Sequence, residues 1–280
     1  MTTHSLRMDK AAVPRRRGPD SGKRARYALA GLLLPGMALL GAEIGVRSGV
    51  VPANLLPAPS EVVTTMVYLA QHGLAGHVLA SAGRVGLGFL TGAVLAVLLG
   101  AAVALERRVA CLVDPSFQAL RAIPSLAWVP LLLLWLGIDE APKLVLIAIG
   151  AFFPIYIGVV SGIRGVDRKL IEAARMYRLS GVDLTRRVLL PAAMPSVLTG
   201  LRNGLSMAWM FMVAAELIAA SQGLGYLLSD GRETSRADIV LASIAILAVL
   251  GKASDSLMAW LEHRLLHWRD SFDSTSRGAQ

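Results

Sequence analysis

A single cysteine, Cys111, stands among the 280 residues, so no disulfide can form within the chain, and the thiol reads as an inert apolar residue. Charged residues make up only 17% and aromatic residues 6%. A soluble globular domain of this length needs a larger polar surface, so a water-soluble enzyme is a poor reading. No G-x-x-x-x-G-K-[ST] phosphate loop is present. Gly251-Lys252 is followed by Ala253 and lacks the upstream glycine, so ATP hydrolysis by this chain is not expected. His263 and His267 lie four residues apart without an H-E-x-x-H arrangement, and His72 and His77 have no cysteine or carboxylate cluster near them in sequence. No metal site is therefore expected, and no nucleophile–base pair of recognisable spacing marks a catalytic site. Alternating strand patterns of about ten residues are also missing, which argues against a membrane barrel.

What the chain does have is hydrophobic residues, 55% of the total, with a mean hydropathy of +0.58. They come in long blocks rather than in the 3.6 or 2 rhythm of half-buried elements. A spanning helix needs about 20 mostly apolar residues. Six blocks qualify: residues 27–46, 85–105, 113–136, 144–163, 195–220 and 239–261. The expected fold is all-α, a polytopic membrane protein, because helices satisfy their own backbone polar groups in lipid. The second block carries Gly86, Gly88, Gly92 and Gly100, a small-residue stripe that reads as helix packing. The third is interrupted by Arg121, Pro124 and Pro130.

The net charge of +9 is concentrated beside the apolar blocks. That pattern fits membrane orientation and lipid headgroups rather than nucleic acid. Eight Lys and Arg precede the first block and seven lie between the fourth and fifth, whereas the alternate loops hold few, among them Arg84 and Lys143. The positive-inside rule then puts both termini in the cytoplasm. Residues 1–26 read as a disordered basic tail, 27–265 as the membrane domain with a cytoplasmic loop at 164–194, and 266–280 as a C-terminal tail. A short amphipathic helix is expected after Pro59 with Ser60 as its N-cap and Val62, Val63, Met66, Val67 and Leu69 as its apolar side.

The loop between the fourth and fifth blocks is the most informative stretch. Leu170, Ala173, Ala174 and Tyr177 fall at helical spacing, Ser180-Gly181 breaks the helix, and a second short helix from about Val182 to Leu190 presents Leu184, Val188 and Leu189 before stopping at Pro191. This is an exposed helix–turn–helix, either an interfacial basic loop or a knuckle that docks on a soluble partner. Glu172, Ala173, Ala174, Gly181, Val188, Leu190 and Pro191 resemble the EAA loop of the inner-membrane subunits of binding-protein-dependent ABC importers. RAIPSLAWVPLLLLWLGI (Arg121–Ile138), FFPIYIGVVSGI (Phe152–Ile163), AAELIAASQGLGYLL (Ala214–Leu228) and LGKASD (Leu250–Asp255) are similar to the branch that imports aliphatic sulfonates, taurine and nitrate. The resemblance runs from about Leu55 to Phe272. One position departs from it: the family glycine six residues after the glutamate is Arg178 here, with Gly181 following in the same turn.

The resemblance implies a type I importer permease in a bacterial inner membrane. Its partners would be two ATPase subunits that carry ATP and Mg, a second permease chain as a homodimer, and an extracytoplasmic solute-binding protein. The loop residues Glu172, Ala173, Ala174, Gly181, Leu184, Val188, Leu190 and Pro191 would couple to the ATPase. Charged residues inside spans are functional candidates by default. Arg121 and Arg202, with Met207 and Glu216, are candidates for the translocation path, weighed against simple interhelical contacts. Lys252 and Asp255 can pair at i, i+3. The competing class is an ATP-independent secondary transporter, which calls for inverted repeats and carboxylates at mid-membrane. Glu43 and Glu216 lie toward span ends instead.

Overall fold

The computed structural model describes residues 21–52 and 55–267, and every regular element among them is helical. The chain divides into two units, one ending at Ser60 and one beginning at Glu61. The first holds α1 (Ser21–Arg47), which starts within the stretch expected to be a tail; residues 1–20 and 268–280 lie outside the described residues. The next helix, α2 (Pro59–Gln71), opens on proline, whose fixed φ suits a first helical position. Ser60 is therefore inside the helix rather than its N-cap. The Glu43 carboxylate takes the capping role, accepting from the Ser60 N–H at 3.1 Å and from its hydroxyl at 2.7 Å.

In the second unit three long helices form the centre: α3 (Leu74–Leu105), α6 (Glu140–Arg164) and α9 (Leu190–Ala219). α6 lies between the other two and buries Leu146, Ile147, Ala151, Ile155 and Val159. The close crossings depend on glycine. A Cβ at Gly88 would lie 2.6 Å from Ile147 and one at Gly100 would lie 3.0 Å from Val159, both on α6. Gly86, expected in the same stripe, faces outward with nothing within 4 Å of its would-be Cβ. The partition follows from geometry: 86 and 88 are separated by about 200° around a helix.

The third block does not form one straight span. α4 (Arg107–Ala122) and the stretch from Ser125, a 3-10 turn followed by α5 (Val129–Leu136), meet at 89°. Pro124 causes the break, because the residue before a proline is driven out of the helical region; Ile123 is extended at φ −78°, ψ 123°. Among the described residues α3, α6 and α11 (Ala237–Leu265) are long and apolar enough to cross a membrane, and the bent pair makes a fourth if it is one span. α9 has the length, 30 residues or about 45 Å, but carries Arg202 and Glu216. Three short helices complete the unit, α7 (Arg168–Met176) and α8 (Gly181–Leu184) in the α6–α9 loop, and α10 (Leu224–Glu233) after α9.

Candidate functional site

The α6–α9 loop is built as a rigid knuckle. Asp167 caps α7 by accepting from the Lys169 N–H at 2.9 Å. The helix ends in a Schellman motif: the Leu179 N–H reaches the Ala174 carbonyl at 3.1 Å and the Arg178 N–H reaches the Arg175 carbonyl at 2.9 Å. That motif puts its C′ residue in the left-handed region, and here C′ is Arg178, at φ 61°. The sequence departs from the family pattern at a position where glycine has a backbone reason to be. Gly181, at φ 54°, answers a separate turn and does not replace the missing glycine. An L-residue in this region costs about 1–2 kcal/mol. Arg178→Gly is accordingly expected to stabilise the protein by about 1 kcal/mol after the glycine's own chain entropy is subtracted. Thermal unfolding in detergent should show a rise of about 2–4 °C; an unchanged or lower midpoint would remove the strain argument.

Ser180 stands at the N-cap of α8 but makes no side-chain capping bond. Pro191 does not stop the second helix. α8 widens into a π-type turn over Thr185–Leu189 and runs on as α9. The wider turn, closed by the Leu190 N–H on the Thr185 carbonyl, absorbs the donor that proline lacks and the ring's clash with the preceding turn. Glu172 is exposed and paired with Arg168 at 2.9 Å. Ala173 is exposed and Ala174 buried. Leu184 is buried and Val188 and Leu189 half-buried, so these three turn toward the chain rather than outward. The outward apolar surface is Met176, Tyr177 and Val182, at 86%, 84% and 71% exposure, with Leu190 and Pro191 exposed behind it. Hydrophobic spacing pointed to the wrong side of α8 because the Schellman turn, invisible to periodicity, sets its rotation.

At the other end of the helices a charge cluster, buried except for the half-exposed Glu140, was missed by sequence reading. Arg84 of α3 donates to both Glu140 oxygens at 2.7 and 2.8 Å, to Glu216 at 2.7 Å and to the Gln222 carbonyl at 2.6 Å. Lys143 reaches Glu140 at 2.9 Å. Glu216 also accepts from Ser81 at 2.8 Å and from the Gly225 N–H at 2.8 Å. Gly223, at φ 136°, lies so close to the Glu216 carboxylate that a Cβ there would collide with it. Arg84 and Lys143, expected in exposed loops, are thus helical and buried, and two cations balance two carboxylates. The only signal in the sequence was a carboxylate near a span end with unassigned cations elsewhere.

The other candidates separate. Arg202 is held by Asp255, one of its two bonds measuring 2.9 Å, and lies 3.9 Å from Glu262. Lys252 joins Asp255 at 3.6 Å, the expected i, i+3 pair. Arg121 is exposed at the end of α4, and Met207 is partly exposed on α9. A third cluster ties α4 to α6, with Arg164 and Tyr156 both on Asp114 at 3.1 Å. No group of residues that could hold a metal ion occurs among the described residues.

Residues 59–267, from the start of α2 through the end of α11, match the model of the family described as "Binding-protein-dependent transport system inner membrane component". The chain belongs to this family. A putative aliphatic sulfonates transport permease protein, SsuC of Bacillus subtilis (strain 168), is 44% identical over 252 residues, 89% of this chain and 91% of that protein. The taurine transport system permease protein TauC of Escherichia coli (strain K12) is 34% identical over 219 residues, 76% of this chain and 80% of that protein. The fold is similar to a chain of the MetNI methionine ABC transporter in an inward-facing conformation, with a TM-score of 0.58 at 18% identity, covering 70% of this chain and 97% of that one. The permease is thus an all-α membrane component of an ABC importer, and its knuckle lies inside the family match.

Proposed function

We propose that this permease moves a small oxyanion inward, an aliphatic sulfonate or taurine first and nitrate within the same range, by alternating access. Two ATPase chains bearing ATP and Mg dock on the α7–α8 knuckles of a homodimer, and an extracytoplasmic binding protein delivers the solute. The six-block topology with both termini in the cytoplasm of a bacterial inner membrane belongs to this reading. The observation that carries it is the knuckle. It leaves Met176, Tyr177 and Val182 exposed on a capped, rigid turn, which suits a lever seated in a groove on a soluble partner. ATP drives such a cycle only by binding the two conformations with different affinity. The names of the sulfonate and taurine relatives support the solute class.

The test is uptake of a radiolabelled alkanesulfonate into vesicles holding the permease, its ATPase and its binding protein. Uptake should require ATP and all three components; uptake by the permease alone would favour a secondary transporter. Gly181→Val sharpens it, since a β-branched residue at φ 54° is strained by about 1–2 kcal/mol, a factor of about 5–30 in a conformational equilibrium. ATPase recovered with the tagged permease and ATP-driven uptake should both fall by about that factor, with membrane insertion intact. A bulky residue at Glu172 should act in the same direction. Normal ATPase recovery with both variants would remove the coupling role of the loop.

A further inference from the structure

One exposed face of α9 differs in kind from the exposed face of α3. Between residues 192 and 206 its exposed residues are Ala192, Ser196, Thr199, Asn203 and Ser206, with no large apolar side chain among them. The spacing of three and four residues puts the four polar ones on one helix face over about 15 Å, half the thickness of a hydrocarbon core. α3 shows the contrast, exposing Leu87, Leu90, Leu95 and Leu98. Lipid can satisfy the α3 face but offers nothing to an exposed amide. Ala192, Ser196, Thr199 and Asn203 of this face also line a groove of about 680 Å³ together with Pro154, Gly158 and Ser161 of α6 and Glu262.

We propose that this face of α9 is the wall of the aqueous solute route, and that Asn203 and Ser196 are the hydrogen-bond donors that select an oxyanion. The assignment rests on the importer reading given above. Thr199 and Ser206 donate to their own helix carbonyls, at 2.9 Å to Pro195 and 3.2 Å to Arg202, so they turn lone pairs outward. Asn203 and Ser196 have no such bond among the described contacts and keep their donors for the groove. The neighbouring cation, Arg202, is neutralised by Asp255. A route lined by neutral donors, with its nearby cation already paired, binds a small anion weakly enough to release it, which conduction requires. This moves solute selection from the paired charges Arg202 and Glu216 to the uncharged residues beside them.

Cysteine scanning tests it in the complete transporter. Cys111 is exposed and is first replaced, as Cys111→Ala. Single cysteines then go in at 196, 199, 203 and 206, with Leu90 and Leu98 as lipid-face controls. A membrane-impermeant anionic thiol reagent is applied from each side, with and without ATP. The α9 positions should react an order of magnitude faster than the controls, and modification at 203 should block uptake. Asn203→Gln should keep more uptake than Asn203→Leu at equal recovery of the ATPase. Reaction as slow as the controls under every condition would overturn the proposal. So would facile disulfides between two copies at these positions without reagent labelling, the mark of a dry contact. Labelling is read independently of transport, so ATP-independent uptake would sink the importer reading alone, and unlabelled positions with ATP-dependent uptake would sink only the route.

Discussion

Glu216→Ala is expected to lower the stability of the folded permease by about 3–5 kcal/mol, the range for removing one partner of a buried ion pair. The Glu216 side chain is fully buried and Arg84 is 10% exposed, so solvent screening offers little relief. Three protein donors lose their acceptor at once: the Arg84 guanidinium, the Ser81 hydroxyl and the Gly225 N–H. Arg84 keeps Glu140, but the half-exposed Glu140 must then balance both buried cations, Arg84 and Lys143, and the cluster carries a net positive charge. The same contacts fix the turn from Ala220 to Gly223, so α10 should loosen with them. A midpoint lower by about 6–20 °C in detergent is the expected reading. Glu216→Gln retains a shape that can accept from Ser81 and should be milder. The double variant Arg84→Met, Glu216→Leu leaves the neutral Glu140–Lys143 pair and should be more stable than Glu216→Ala alone. A Glu216→Ala loss under about 1 kcal/mol, the worth of a surface pair, would mean that water reaches the cluster.

The cluster also marks where sequence reading ends. Apolar blocks reveal α6 and α11 almost to their boundaries, because a lipid environment imposes its demand residue by residue along one helix. The α6–α9 loop was legible for a different reason: its residues resemble a family motif. Arg84 and Glu216 are 132 positions apart and Arg84 and Glu140 are 56 apart, and nothing local tells a cation that its partner lies on another helix. Glu216 was legible as a charge near a span end and Arg84 as a loop cation, and neither as a member of a set. The prolines show the same limit. Pro124 and Pro191 look alike as breakers, yet the chain turns by 89° at the first and continues through a π-type turn at the second. The difference is whether the freed carbonyls and the ring are accommodated by the neighbouring turn, which depends on packing.

Gly158→Leu and Gly86→Leu, chemically the same change in two spanning helices, should have opposite outcomes. A Cβ at Gly158 would lie 2.8 Å from the Gly200 Cα and 2.9 Å from the Ser196 carbonyl, both backbone atoms of α9 that cannot swing away. α6 and α9 would have to separate along their main contact, which includes Gly204 on Ile155 and Gly162 on Ser196. That cost lies at or above the roughly 3 kcal/mol top of the usual overpacking range, and it exceeds the gain of about 1 kcal/mol from replacing glycine in a helix. Misfolded or aggregated permease in detergent extracts is the expected result. At Gly86 nothing lies within 4 Å of the added carbon, and the residue is exposed beside Leu87 and Leu90. The helix-propensity gain then stands alone, and Gly86→Leu should fold at least as well as the wild type, with uptake unchanged. Fluorescence-detected size exclusion of the two variants side by side checks both. Equal behaviour would mean that the α6–α9 crossing is looser than its backbone contacts indicate. The expected split would place a tight backbone seam along the groove itself, because Gly158, Gly200 and Ser196 line it, so that its wall is held rigid.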